Sequence, residues 1–300
     1  MNKKPMITAL LAGLATAALT LTAAASTVGY WRFEDGAFTT DSSGNNLTLT
    51  NNNSTTAQAL PDTGAGSNFL NPVPATNAAN TQAAKFANGS ITNFSLADTA
   101  LLTVQDFTIE AMINAGSFQA GAGSRIIASQ WGSDSKNLGW LLGVSGTSGA
   151  SVGANKLILQ ISSTGTDSLT FSSGITLSAG VDYYVAASLA FNDTLEPTSA
   201  TVTFYIQDLA SPEAFLQIIT TGPQSVTGIY NSTTTFRIGA TTSLGGGVWT
   251  GLIDEVRLSN TALGQSDLLI SNIPEPHTAA LGVGTLAAGV FLLRRRITGI

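Results

Sequence analysis

The chain has 300 residues, with 18 Asp and Glu against 12 Lys and Arg, one histidine and no cysteine. Residues 26–275 hold three Lys and four Arg against all 18 acidic residues, a net charge of −11, so no basic patch is there to neutralise a phosphate backbone and nucleic acid is not an expected partner. The absent cysteines exclude disulfides, thiolate metal sites and a cysteine nucleophile, and the lone His277 lies too near the C-terminus to form a Ser–His pair inside a domain.

In chain order, the first element is a leader. Asn2, Lys3 and Lys4 make a polar, basic start, an apolar run follows from Met6 to Leu21, and Thr22-Ala23-Ala24-Ala25-Ser26 closes it. A basic start, an apolar stretch and small residues of the A-x-A type form a secretory signal peptide. Residues 1–25 are therefore expected to be cleaved after Ala25, and the protein to be exported.

Residues 26–271 read as one β-rich domain, long enough to bury a core without disulfides. Short runs of β-branched and aromatic residues recur between Gly, Asn, Asp and Ser clusters, beginning with Val28 to Phe33. Phe107 to Ile113 alternates, with Phe, Ile, Ala and Ile on one face and Thr, Glu and Met on the other. Leu157 to Ile161, Val181 to Ala190, Thr201 to Ile206, Phe236 to Gly239 and Leu252 to Leu258 continue the pattern. About a dozen strands at this spacing predict an all-β fold of two packed antiparallel sheets. Asn51 to Asn80, rich in Asn, Thr, Ala and Pro, reads as a long loop, either a mobile excursion or a binding loop. Ala262 to Ile270 is the one helical stretch expected in the domain.

Three tryptophans, Trp31, Trp140 and Trp249, sit in strand-like contexts and are expected in the core. Trp131 begins the polar turn "WGSDSKN" and is the candidate for an exposed ring on which a sugar could lie. Two acidic stretches invite chemistry. After Glu34-Asp35-Gly36 comes Asp41-Ser42-Ser43-Gly44-Asn45-Asn46, a turn sequence whose side-chain oxygens would equally suit Ca²⁺. In "GLIDEVRLSN", Asp254 belongs either to a charged solvent face or to a ligand or clamp near the first strand.

"YWRFED…DSSGNNLTL", "KFANGSITNFSL", "DFTIEAMI", "IIASQW", "KLILQI", "YYVAASLAF", "VTFYIQD", "FRIGA" and "WTGLIDEVRLSNTAL" follow one another in an order that resembles laminin-G-like, concanavalin-A-like jelly-roll domains over residues 28 to 270. The final stretch, Gly251 to Arg257 with Asn260 and Leu263, carries most of the likeness, while Tyr183-Tyr184-Val185-Ala186 stands where the family has Trp-x-x-Val-Ala. The resemblance implies a jelly-roll β-sandwich that binds glycans or proteins and often holds a structural calcium. Carried onto this chain, it nominates Glu34, Asp41, Asn45 and Asp254 as positions for that ion.

Glucanases share the sandwich, and retaining glycosidases need two carboxylates about 5–5.5 Å apart. Their Glu-x-Asp-x-x-Glu run is missing. Glu110 stands alone in its strand, and the adjacent pairs Glu34-Asp35 and Asp254-Glu255 should point to opposite faces. The chain is therefore read as not an enzyme, with a divergent glycoside hydrolase as the alternative.

Residues 272–300 form the last element. Thr278 to Leu293 is a 16-residue run without charge, interrupted by glycine and threonine and followed by Arg294, Arg295 and Arg296. As a helix it spans about 24 Å, short of the roughly 30 Å hydrocarbon core, although a permanent anchor is the competing reading. Pro274-Glu275-Pro276, the apolar transmembrane span and the basic end resemble a PEP-CTERM sorting tail. That likeness implies transient insertion in the inner membrane of a Gram-negative bacterium and processing by an exosortase-type membrane protease. The mature protein would then reach the cell surface or matrix, where extracellular polysaccharide or a surface protein is the expected partner. A purely structural matrix protein is the second reading.

Overall fold

Phe107, Ile109, Ala111, Ile113 and Ala115 alternate with Thr108, Glu110, Met112 and Asn114 along one strand, and the apolar set enters the space between two sheets. The computed structural model describes residues 27–271, apart from 53–54, 61–67, 88–91, 133–135, 149–151, 194–195, 212–215 and 242–246. The leader with Ala25, and the tail with Pro274, Glu275, Pro276, Arg294, Arg295 and Arg296, lie outside the described residues. Among those described, no helix is long and apolar enough to cross a membrane.

Among the described residues, sixteen strands run in chain order, beginning with β1 (Thr27–Trp31), β2 (Thr50–Asn52), β3 (Thr56–Ala59), β4 (Gln82–Phe86), β5 (Asn93–Leu96) and β6 (Phe107–Ala115). Next come β7 (Ser124–Trp131), β8 (Leu138–Ser145), β9 (Lys156–Ile161), β10 (Leu169–Thr176) and β11 (Asp182–Phe191). The last are β12 (Ser199–Asp208), β13 (Gln217–Thr220), β14 (Gln224–Ser225), β15 (Phe236–Ile238) and β16 (Gly251–Ser259). The first sheet has the order β13-β12-β11-β6-β16-β4-β3, with β1 also on β16 and β14 on β12. The second has the order β10-β9-β8-β7-β15-β5-β2. All pairings are antiparallel, so the expected two-sheet sandwich is what forms.

Between the sheets, Trp31 stacks on Phe236 at 5.0 Å and Phe107 packs on Trp140 at 5.1 Å. Trp31, Trp140 and Trp249 are all buried, as expected, although Trp249 lies in irregular backbone just before Gly251 rather than in a strand. A second apolar cluster lies on the outer face of the first sheet. There Tyr30, Met112, Tyr184, Ala186 and Tyr205 of the sheet meet Phe69, Val73, Leu263, Leu268 and Leu269. Each large side chain buried in this way contributes about 1.5–3 kcal/mol, enough to hold both covering segments down.

Those segments correct two sequence-based expectations. Asn51 to Asn80 is not simply a loop: it supplies β3 and part of β2, and it buries Phe69, Val73 and Asn80 on the first sheet. Its apolar residues are too sparse to show a period, and its strands lie at sheet edges where composition is polar. Ala262 to Ile270 is not a helix beyond the single 3₁₀ turn at Gln265–Asp267. Extended backbone at Gly264 and Leu268, on either side of that turn, and a second turn after Leu268 let Leu263, Leu268 and Leu269 all reach the sheet.

A third correction concerns β16. Asp254 pairs with Met112 and Arg257 with Glu110, so Glu255 and Val256 together oppose the single Ala111. Glu255 takes the left-handed conformation, at φ 50°, that such a bulge uses. Asp254 shares the outer face with Met112, and Glu255 shares it with Tyr30 and Arg32. The pair does not alternate across the sheet.

Candidate functional site

The acidic residues that could have carried catalysis lie beneath the covering segments. Glu110 is fully buried on β6 and four donors converge on its carboxylate. Oε1 accepts Arg257 Nε at 2.7 Å and pairs with Nη2 at 2.5 Å, while Oε2 accepts the Tyr184 hydroxyl at 2.5 Å and the Leu269 N–H at 2.8 Å. Burial first, and the Glu110 charge second, push the Tyr184 phenol well above its ordinary value. Glu255 repeats the arrangement nearby, accepting the Tyr30 hydroxyl and Arg32 Nε, the latter at 3.1 Å. Arg32 Nη2 continues to the Ala79 carbonyl at 2.5 Å. Each arginine thus joins a buried carboxylate to a carbonyl of a covering segment, since Arg257 Nη2 reaches Asp267 O at 2.6 Å.

The four positions nominated for calcium do not meet. Asp41 forms an isolated bridge with Trp31, whose other neighbour is Val256 of β16, so β1 lies between Asp41 and β16. Two strand spacings separate them, about 10 Å. Asp41 Oδ1 accepts the N–H groups of Tyr30 and Ser43 at 3.0 and 2.8 Å, and Oδ2 accepts the Ser43 hydroxyl and the Leu47 N–H at 2.7 and 3.0 Å. Burial alone would raise its carboxyl, but the donors from Leu47, Tyr30 and Ser43 outweigh it and hold the group below the usual range. Asn45 Nδ2 donates to the carbonyls of Thr27 and Val28 at 3.0 and 2.9 Å. With both Asp41 oxygens doubly engaged, this turn does not fit a calcium ion.

Asp254 is the opposite case. It is wholly buried, and neither carboxylate oxygen has a hydrogen-bond partner. Burial, and then the negative charge of Glu255, raise its carboxyl well above the usual range; the Asn80 amide and the Glu255 N–H lower it a little from beyond hydrogen-bond geometry. Asn80, also buried, leaves its own Oδ1 unpartnered while Nδ2 contacts Met112 Sδ at 3.9 Å. Glu34 lies near enough to raise Asp254 further and accepts Thr81 N and Oγ1 at 2.8 and 2.5 Å. Among the described residues, no three His, Asp or Glu side chains gather to hold a metal by themselves. Any ion here would need amide or backbone oxygens beside the carboxylate, which calcium accepts. Asn80 was missed in the sequence because it closes a stretch with no period.

The outer face of the second sheet has different chemistry. Cross-strand pairing sets Thr50, Ser95, Arg237, Ser129, Leu141, Gln160 and Thr170 in one row across all seven strands. Ser129 and Leu141 in the middle are buried, and a polar cleft opens at each end. Gln119, Ser124, Gln160 and Thr241 line the first, of about 450 Å³. Thr50, Asn52, Asn93, Ser95, Thr235 and Arg237 line the second, of about 490 Å³. Arg237 stood unremarked in the weak motif "FRIG"; its alternation with Phe236 and Ile238, both core residues, is the signal that places it outward.

Trp131, the expected sugar platform, is half-buried at the end of β7, opposite Leu138. Among the described residues, the aromatic side chain that is exposed is Tyr230, at 39 %. It lies against Gly165, where φ is +81° and an added Cβ would come within 2.9 Å of the ring. The turn from Ser162 to Asp167 beside it is held by the Asp167 carboxylate, which accepts Ser162 Oγ at 2.6 Å, Thr164 N at 2.9 Å and Ser163 Oγ at 2.8 Å.

The profile of the concanavalin A-like lectin/glucanases superfamily (Laminin_G_3) matches residues 88–268, more than half of the chain. The chain belongs to that superfamily. Its sandwich extends upstream of the matched region, because β1 to β4 pair into both sheets of the superfamily domain. No curated protein matches the sequence. Among solved structures, the superfamily domain is similar to domain 4 of AbnA, a GH43 extracellular arabinanase from Geobacillus stearothermophilus in complex with arabinotriose. The TM-score is 0.48 and the identity 15%, over 82% of this chain and 97% of that one. The botulinum neurotoxin serotype D binding domain gives 0.47 and 14%, over 82% of this chain and 51% of that one. The Ruminococcus gnavus IT-sialidase CBM40, bound to α2,3-sialyllactose, gives 0.39 and 13%, over 62% and 94%.

Proposed function

We propose that the domain is a non-catalytic glycan-binding module of an exported protein. A PEP-CTERM tail would deliver it, through exosortase-type processing at the inner membrane, to the surface or polysaccharide matrix of a Gram-negative bacterium. The observation that carries the binding reading is the cleft around Arg237. Its amides, hydroxyls and guanidinium are the groups that recognise sugar hydroxyls, and they stand on paired strands that fix their spacing. The burial of Glu110, Asp254 and Glu255 under two covering segments supports a role without hydrolysis. Affinity electrophoresis of the exported chain against host exopolysaccharide and a panel of purified polysaccharides tests the reading: retardation by at least one is expected, and retardation by none overturns it. The mass of the mature protein tests delivery, with a start after Ala25 and an end near Glu275 expected and an intact Ile300 refuting processing.

A structural cation is the second proposal, favoured by the unpartnered oxygens of Asp254 and Asn80. Those two residues, with Glu34 beside them, would hold calcium, and Asp41 and Asn45 would not. Calcium there would neutralise the buried carboxylate and tie β16 to the covering segment that ends at Asn80. An unchanged melting temperature on moving from Ca²⁺ to EDTA would refute it.

A further inference from the structure

We infer that the Arg237 cleft recognises the carboxylate of an acidic saccharide, such as a uronic acid residue; this rests on the glycan-binding reading and narrows it. Arg237 is half-buried on β15, and among the described residues no carboxylate pairs with it. Burial makes it harder to keep charged, lowering its guanidinium from the ordinary value. A partly buried guanidinium gains more from a carboxylate partner than a fully solvated one does, because the surrounding protein screens the pair less than bulk water would.

The guanidinium is held in place. Nη1 donates to Asn93 Oδ1 at 2.9 Å, and Asn93 is only 1% exposed. Asn52 Nδ2 donates to the same Oδ1 at 3.0 Å and to Ser95 Oγ at 2.8 Å. Of the five N–H donors that an arginine carries, one is thus engaged by the protein. The others form a planar fork at the cleft, the geometry that takes a carboxylate through two parallel bonds. Among the described residues no acidic side chain lines the cleft; Asp98, just beyond Ala97, accepts Gln130 Nε2 at 2.8 Å. Thr50, Asn52, Ser95 and Thr235 place hydroxyl and amide groups around that fork, where a pyranose ring bearing the carboxylate has its hydroxyls.

The charge of the whole domain opposes the inference at long range and confines it to a short-range contact. With seven basic residues against 18 acidic ones over residues 26–275, the surface repels a polyanion at long range. An acidic polymer therefore has to be recognised at a built contact that reads single residues, because a diffuse basic face is missing. That repulsion is screened beyond about 8 Å at physiological ionic strength, a distance the carboxylate–guanidinium contact lies well inside.

The test compares polygalacturonate with the same polymer after its carboxyl groups are reduced to alcohols, using the exported chain and its Arg237→Gln and Arg237→Lys variants. Wild type is expected to bind the acidic form about tenfold or more tightly than the reduced form. Arg237→Gln should abolish that preference, lowering affinity for the acidic polymer far more than for the reduced one, and Arg237→Lys should restore part of it. Equal wild-type binding to the two polymers overturns the inference and leaves the glycan-binding reading standing. Binding to neither polymer overturns the inference, and binding to no polysaccharide at all overturns both. The wild-type comparison needs no variant, so a variant that fails to fold does not spoil the test.

Discussion

Glu110→Gln separates a structural carboxylate from a catalytic one. The wild-type side chain receives four donors on two oxygens, two from Arg257, one from Tyr184 and one from the Leu269 backbone. Glutamine keeps a single acceptor oxygen, so its amide must turn an N–H₂ group towards two of those donors. Arg257, whose side chain is 13% exposed, is left as a mostly buried cation without its counter-ion. Breaking a buried pair from one side costs about 3–5 kcal/mol. For a domain of this size each kcal/mol moves the melting temperature by about 2–4 °C, so a loss of about 6–20 °C is expected. Thermal unfolding followed by circular dichroism reads it. The double variant Glu110→Gln with Arg257→Met should recover part of the loss, because it removes the stranded charge. A melting temperature within about 2 °C of wild type would refute the reasoning, most plainly if sugar release from a β-glucan vanished at the same time.

Three further outcomes are expected. Asp41→Asn should lower stability by at least about 2 kcal/mol at pH 7, since hydrogen bonds to a charged acceptor contribute about 1.5–3 kcal/mol. Its folded carboxyl sits below the usual range, so this stabilisation is present above about pH 4 and is lost as pH falls through the folded value; a difference from wild type that fails to shrink in acid contradicts the clamp. Asp254→Asn in EDTA should raise stability by about 1–3 kcal/mol at pH 7 by removing an unpaired buried charge. The gain should be absent below about pH 4, where the carboxyl is protonated folded and unfolded, and the variant should not respond to added Ca²⁺; a less stable variant in EDTA would refute the burial argument. Tyr230→Ala should cost about 1 kcal/mol, the ring being only partly covered where it lies on Gly165, yet weaken retention on a polysaccharide that wild type binds. Unaltered retention would remove the ring from the binding surface.

Strand identity was legible because the core obeys period two. Phe107, Ile109, Ala111 and Ile113 announced both the strand and its buried face, and Trp31 and Trp140 lay in strands of the core as their context predicted. The covering segments were not legible. Phe69, Val73 and Asn80 are spread over a polar stretch, and their burial comes from contacts with Met112, Tyr30 and Tyr184, far away in the chain. The β16 bulge was hidden for a related reason: "IDEV" reads as plain alternation, and only the register with β6 shows two residues opposing one. Asp41 was legible as a turn residue, yet its unfitness for calcium appears only when each of its oxygens is found to hold two donors.

The two outer faces differ in a way that bears on where a ligand can act. On the first sheet, every ionised group of the two clamps is matched from within: Glu110 by Arg257, Glu255 by Arg32, and both arginines by carbonyls of the covering segments. A ligand entering there would have to lift those segments and expose charges that already have partners. On the second sheet the accounts of donor and acceptor do not close within the chain. Arg237 has one acceptor for five donors, and that acceptor, Asn93 Oδ1, is shared with Asn52. Water satisfies such a surface at little cost, and a ligand with the matching groups can replace the water without disturbing the fold. The proposed recognition by the second face follows from this open, solvent-reached set of donors, whereas on the first face the unpartnered oxygens of Asp254 and Asn80 lie buried beneath the covering segments.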